Sequence, residues 1–462
     1  MPKTNLVSVM KKKLSEAWSL DARSLSVFRV GIALIVIVDI CFKSRFLVDY
    51  YTDFWPFSRD IFLENDNSSM LSFHLMSGQI WFQILLFIVH GFFALWLLVW
   101  YRTWVAAILV FVFTVSLHNR GMIINSSTDD LLLVMLFWAM FLPLDRHWSW
   151  ESDRHKAWLH PHLKRIISIG TVAFIAQQLI IYWMHAFSTL NSAGTWNYLI
   201  LIGILAPILW IVPLFHVWFR YIGMLLIIFL HVWVSDFSSG LFGWISTVSI
   251  LALIPAHFWD WWIKRQAPRG EIKIYFDDHC ELCRRWTRLL RSYCFLWWVD
   301  YIGLSSAPAS IQKLSEEEDS WVVSNGRKTF TRYSAFVELI QQSWLFRPFH
   351  YFGNIFPLNI IGNQVYKFGN HLRNYCRIAY PVIPYASYSG AQKIAAVICF
   401  ISLYAITVAN ISQLPYNLDW LSSPQRIIQW HNTLIRWWNA IPRLDQDWKE
   451  LSSEPKNKRV IE

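Results

Sequence analysis

The stretch Ile272 to Tyr293, I-K-I-Y-F-D-D-H-C-E-L-C-R-R-W-T-R-L-L-R-S-Y, decides the fold of the more polar part of the chain. Ile272 to Phe276 are rich in β-branched and aromatic types and predict a short buried strand, which Asp277, Asp278 and His279 break. Leu282, Trp286, Leu289, Leu290 and Tyr293 then recur at three- and four-residue spacing, with Arg284, Arg285, Arg288 and Arg291 on the other sides, and predict a helix. Cys280 falls at its start and Cys283 one turn in. Unpaired backbone N–H groups and the helix dipole favour an anion there, so the pattern stabilises a thiolate.

Away from this stretch the chain changes character. Of 462 residues, 55% are hydrophobic, 17% aromatic and only 16% charged, a balance too apolar for an ordinary soluble protein. The composition predicts an integral membrane protein. The formal net charge of +10 does not signal nucleic acid, because the basic residues are spread over loops flanking apolar segments and form no compact face with stacking aromatics. Orientation and contact with anionic lipid account for it. Six cysteines in a chain of this length form no extracellular disulfide framework. Lys11, Lys12 and Lys13 precede a polar amphipathic stretch, and no small-residue cleavage site follows, so no cleaved signal peptide is expected.

Apolar runs predict about eight spans before the cysteine motif. They are Ser26 to Phe42, Ile80 to Trp100, Trp104 to Leu117, Leu131 to Leu144, Ile167 to Leu190, Trp196 to Pro213, Tyr221 to Val234 and Leu241 to Trp262. Lys11 to Lys13, Arg102, a cluster from Arg146 to Arg165, Arg220 and Lys264 to Arg269 mark one side, while Asp49, Asp53, Asp60, Glu64 and Asp66 mark the first loop on the other. The positive-inside rule then puts the N-terminus and the cysteine motif in the cytoplasm of a multi-pass protein, in a bacterial inner membrane. The expected organisation is a cytoplasmic segment 1–23, a membrane domain 24–265, an α/β domain 270–380, a further span 391–411 and a tail 412–462.

The motif Asp277, Asp278, His279, Cys280, Glu281, Leu282, Cys283 resembles the D-G-x-C-x-x-C signature of the DCC family of thiol-disulfide oxidoreductases, which have a thioredoxin-like fold. Asp278 stands where the family has glycine, a departure that bears on the tight turn. The resemblance implies Cys280, Cys283 and Asp277 as catalytic residues, with Cys280 attacking and Cys283 resolving. Phe295 to Ile302 read as the second strand and Glu316 to Asp319 as an acidic turn. Trp321 to Ser324, Asn325-Gly326 and Arg327 to Phe330 give a hairpin, Tyr333 to Ser343 a helix. Val365 to Tyr375 resembles the family's closing helix.

Leu117 to Asp130, L-H-N-R-G-M-I-I-N-S-S-T-D-D, followed by F-L-P-L-D-R-H-W-S-W from Phe141 to Trp150, resembles the HTTM domain, related to vitamin K-dependent γ-carboxylase. The likeness runs from about Ser24 to Trp262 and includes Trp100 to Thr103, His231 and Leu253 to Trp259. It implies a quinone or vitamin K-like ligand. Thr189 occupies the position of the family's lysine base, so carboxylation is not expected. His118, Asn119 and Arg120 with Asp129 and Asp130 sit at a membrane edge, where they form either a salt-bridged cap or a ligand site. His185 and His231 are intramembrane histidines that either bond between helices or line a cavity.

For the C-x-x-C, a zinc site needs two more ligands, and His279, Cys294 and Cys376 supply no second spaced pair. No metal is expected, which leaves a redox dithiol, requiring no cofactor, or an inert pair of structural thiols. Two classes of function remain. One is a membrane thiol-disulfide oxidoreductase, coupled to a quinone or lipid-like ligand or to a thiol protein partner. The other is a non-catalytic binding or transport module, or a carboxylase-like enzyme without its lysine.

Overall fold

The computed structural model describes residues 18–54, 59, 72–99, 102–121, 124–146, 165–193, 217–234, 241–265, 272–278, 280–296, 299–343, 346–353, 355, 357–379 and 389–412. The chain forms two compact units, Met1–Ala256 with Tyr388–Glu462, and His257–Ser387.

The first unit is a helical bundle. Helix α1 (Ala22–Lys43) starts where Asp21 caps it, accepting from the Arg23 backbone N–H at 2.8 Å while the Arg23 guanidinium grips the same carboxylate. Leu20–Asp21 (β1) pairs antiparallel with Arg165–Ile166 (β2). Two proline-containing loops anchor on α1. Arg29 donates to the carbonyl of Leu144 at 3.0 Å, and Ser24 donates to that of Ile254 at 2.7 Å. Helices α2 (Ile80–Val99) and α3 (Thr103–Arg120) follow, then α4 (Ser127–Ala139), α5 (Ile169–Ala193), α6 (Val217–Val234) and α7 (Phe242–Leu251), while α8 (Ala256–Arg265) opens the second unit.

On α2, Trp81, Leu85, Ile88, Phe92 and Leu95 are exposed at three- and four-residue spacing while Gln83, Phe87, His90 and Ala94 are buried. An apolar stripe turned outward, with the polar Gln83 and His90 turned inward, is stable in hydrocarbon and not in water. Ala22–Tyr51, Ile80–Val99 and Thr103–Arg120 are long and apolar enough to cross a membrane, and Phe242–Leu251 with Ala256–Trp262 would make a fourth, broken span. These are counted among the described residues alone, which cover part of the about eight runs read from hydropathy. In the fourth run, α4 has 13 residues, about 20 Å of helix, and every residue from Leu131 to Ala139 is buried. A helix apolar all round is a core helix here, which hydropathy cannot tell from a span. The fifth and seventh runs form α5 and α6, of 25 and 18 residues, and the run at 241–262 breaks before Pro255. The run at 196–213 lies outside the described residues. The bundle closes with Ser389–Ser412, packed on α5 and apolar over Lys393–Thr407.

In the second unit, β3 (Lys273–Phe276) lies in a four-stranded sheet of order β4-β3-β5-β6, with β4 (Asp300–Gly303) parallel and β5 (Val322–Ser324) antiparallel to it. Helix α9 (Glu281–Tyr293) crosses from β3 to β4, α10 (Ala309–Glu318) from β4 to β5, and α11 (Arg332–Gln342) follows β6 (Thr329–Thr331). Ile274, Cys294, Leu296, Val299, Val323, Ala335 and Leu339 fill the core. Helix α12 (Leu358–Ala379) packs on α11 and α9, and the closing helix of the bundle, Ser389–Ser412, is α13.

Two local readings change. The second strand is shorter than 295–302, because residues 294–296 turn before it. Glu316 to Glu318 end α10 instead of forming a turn, with Asp319 in the left-handed region (φ 43°) as its cap. The hairpin forms as expected, but its turn has four residues. Ser324 pairs with Thr329, and the Asn325 side chain accepts from the N–H groups of Arg327 and Lys328 at 3.1 and 2.9 Å.

Candidate functional site

The end of β3 and the start of α9 build the dithiol site. Cys280 occupies the position before the first helical residue, and its Sγ accepts the N–H of Cys283 at 3.3 Å. That is the bond a serine or aspartate makes when it caps a helix, here made by sulfur, and a thiolate accepts it better than a thiol. The Cys280 N–H donates to the carbonyl of Asp277 at 3.3 Å, and its own carbonyl takes the first helical bond from Arg284 at 3.0 Å. A carboxylate oxygen of Asp277 and both sulfurs lie within 4.8 Å of one another, and neither cysteine is in a disulfide. The expected trio therefore comes together.

Exposure divides the pair in an order the motif does not announce. Cys280 is 2% exposed, sealed by its capping role, whereas Cys283 is half-buried and lines a cavity of about 910 Å³. Trp286, Leu290, Leu304, Trp321, Phe336 and Val365 give that cavity apolar walls, and Asp277, Asp278, Glu316 and Asp319 sit on it too. Its described lining contains no lysine, arginine or histidine.

Asp278, in the glycine position of the motif, needs no left-handed backbone. Its carboxylate turns toward β4, where it accepts from the Ser305 N–H at 3.3 Å and from the Ser305 hydroxyl. The space it uses belongs to Gly303, where a Cβ would stand 2.7 to 2.9 Å from Asp278. The glycine has in effect moved across the sheet.

Of the residues weighed for zinc, Cys294 is a core side chain, and burial pushes its thiol up to about 12. It does not join the Asp277, Cys280 and Cys283 group, and among the described residues no fourth donor does. His279 and the side chain of Cys376 lie outside the described residues.

The bundle holds a second constellation. Lys43 Nζ stands 2.6 Å from Asp129 and 3.1 Å from Asp39, and His118 Nε2 lies 3.4 and 3.6 Å from the same two carboxylates. All four side chains are buried. Asp129 also completes a capping box, accepting the Ser126 N–H at 2.7 Å, so the start of α4 is tied to α1 and α3. Two carboxylates face one ammonium. The group carries one negative charge with a neutral imidazole and none with an imidazolium.

His118 and Asp129 thus meet as the sequence suggested, with Asp130 half-buried beside them in the first turn of α4. Arg120 is turned elsewhere, donating to the carbonyl of Thr52 at 2.8 Å and standing 3.8 Å from Asp53. The side chains of His185, Thr189 and His231 lie outside the described residues. Asp39 and Lys43 were missed. Their signal was present, two ionisable residues at i and i+4 in or beside an apolar run, which in a membrane face the interior and pair.

Next to this group, Tyr51 and His74 pack with ring centroids 5.7 Å apart. His74 Nδ1 bonds Gln83 Oε1 at 2.6 Å, which fixes the proton on Nδ1 and leaves Nε2 an acceptor. Neither that Nε2 nor the Tyr51 hydroxyl has a hydrogen-bond partner among the described residues, although both are buried.

No protein-family model, curated protein or solved structure matches the chain.

Proposed function

We propose that the chain is a membrane-embedded thiol-disulfide oxidoreductase whose chemistry is the Cys280–Cys283 pair. The observation that carries this reading is a cysteine acting as helix cap, its sulfur bonded to the N–H of a second cysteine that faces a cavity. The strand order β4-β3-β5-β6, with a helix at each crossover, supports a thioredoxin-like, DCC-type domain. The three apolar helices support the membrane assignment.

In this reading Cys283 is the entry thiol, because a substrate in the cavity meets it first. Its thiolate attacks a substrate disulfide, a mixed disulfide forms, and one substrate sulfur leaves as thiolate. Cys280 then attacks Cys283 Sγ and releases the second sulfur. The dithiol becomes a disulfide, and the substrate takes two electrons and, on release, two protons. The N–H of Cys283 holds the Cys280 sulfur in place for the second attack. Apolar walls suit a substrate with an apolar body.

The test uses the full chain in detergent with dipyridyl disulfide. Cys280→Ser is expected to trap a mixed disulfide on Cys283, read by mass. Trapping on Cys280 in Cys283→Ser alone would reverse the two roles. Failure of the wild-type pair to form a disulfide across a glutathione redox titration would end the oxidoreductase reading.

A second reading rests on the buried group of the bundle. The Tyr51 hydroxyl and the His74 Nε2 are a buried donor and acceptor close together beside the charged group, a pair that fits a quinol or quinone ring oxygen. Binding of a short-chain quinone, followed by calorimetry, is expected to weaken in Tyr51→Phe and to survive Cys280→Ser. Unchanged affinity in Tyr51→Phe removes this site.

A further inference from the structure

Helix α12 lends the cavity Gly362, Val365, Tyr366 and Gly369, and the adjoining face, which shares Val365 at its edge, turns outward. Leu358, Ile361, Val365 and Phe368 recur along it at spacings of three and four, so they form one stripe, and Val365 and Phe368 are each 65% exposed. Just before the helix, Phe349 and Phe352 are each 58% exposed. Isolated exposed apolar side chains are ordinary, but a continuous run of large ones marks an interaction surface.

The charges around it indicate what covers it. No aspartate or glutamate occurs from residue 339 to residue 418, a stretch of 80 residues, while Arg347, Lys367, Arg373, Arg377 and Lys393 are all basic. Arg347 is exposed in the turn before the helix, and Lys367 is exposed next in sequence to Phe368, about 100° further round the helix. A second copy of the chain would set like charges against each other, whereas helices that pair through such a stripe flank it with opposite charges. An anionic lipid surface meets both requirements, an apolar layer for the stripe and negative headgroups for the rim. The connections agree. Only residues 380–388 link α12 to the apolar helix α13, and a link of that length reaches about 35 Å at full extension.

We infer that the outward face of α12, with the turn before it, lies in the interface of an anionic bilayer, its apolar stripe among the upper acyl chains. The face thereby keeps the cavity wall at the membrane surface. The inference stands whether or not the dithiol is catalytic.

The experiment places a nitroxide, through an unnatural ketone-bearing residue, at Phe368 or at Lys367 of the full chain in nanodiscs containing phosphatidylglycerol. At Phe368 the probe is expected to relax more with oxygen than with a water-soluble nickel chelate, and at Lys367 the preference is expected to reverse. Replacing Val365 and Leu358 by aspartate is expected to abolish the oxygen preference at Phe368. Three results would overturn the inference. Nickel access at both sites means the face is in water. Shielding from both reagents with spin–spin broadening means a second copy covers it. Shielding from both without broadening means another segment of the chain does.

Discussion

Replacing Lys43 by methionine keeps the length and apolar bulk of the side chain and removes only its charge. The ammonium stands 2.6 Å from Asp129 and 3.1 Å from Asp39. At an effective dielectric of ~20, Coulomb's law gives roughly 6 and 5 kcal/mol for the two contacts, most of it repaying the desolvation of three buried charges. What the substitution exposes is therefore the penalty of two carboxylates left without their counter-ion, about 3–5 kcal/mol for breaking a buried pair. With each kcal/mol worth a few degrees in a unit of this size, the melting midpoint should fall by on the order of 10 °C. Thermal unfolding of the full chain in detergent, followed by circular dichroism at one scan rate, measures it. The control decides the cause. Combining Lys43→Met with Asp39→Asn and Asp129→Asn removes all three charges and should recover most of the loss, because the cost lies in unpaired charge and not in packing. A Lys43→Met protein that melts with the wild type, or a triple variant no better than the single, refutes the reasoning.

Two further outcomes follow from the second unit. Gly303→Ala puts a Cβ 2.7 to 2.9 Å from the Asp278 side chain, so it should cost about 1–3 kcal/mol and slow or speed alkylation of Cys283 by shifting the turn before it. Adding Asp278→Gly should restore both stability and rate, and no restoration would sink the proposed exchange of space. The Cys294 thiol, pushed up to about 12 by burial, stays protonated in the folded protein at pH values where the unfolded chain has lost its proton. Its contribution is thus complete below the unfolded value near 9 and should fall by about 1.4 kcal/mol per pH unit above it, until pH passes the folded value. Urea unfolding at pH 8 and 10 should show this slope in the wild type and less of it in Cys294→Ala; equal slopes would mean that Cys294 is not the group.

Local pattern settled the short-range architecture before any packing was considered. The β-branched and aromatic run at 272–276, the helical spacing from Leu282 to Tyr293 and the Asn325-Gly326 turn each specify an element through contacts within a few residues, so β3, α9 and the hairpin were legible. The same local physics placed Cys280 at a helix start. Hydropathy separated apolar from polar segments but could not say which faced lipid, since Leu131 to Ala139 and Trp81 to Leu95 are alike in composition and differ only in what surrounds them. Only the tertiary structure assigned one to the core and the other to the outer surface. It alone brought Asp39 and Lys43 of α1 to His118 and Asp129, residues up to 90 positions apart. It also decided which thiol meets the cavity. Periodicity fixes the angular position of a side chain on its own helix, whereas pairing of buried charges and closure of a cavity depend on the other elements that pack there, and no local spacing encodes them.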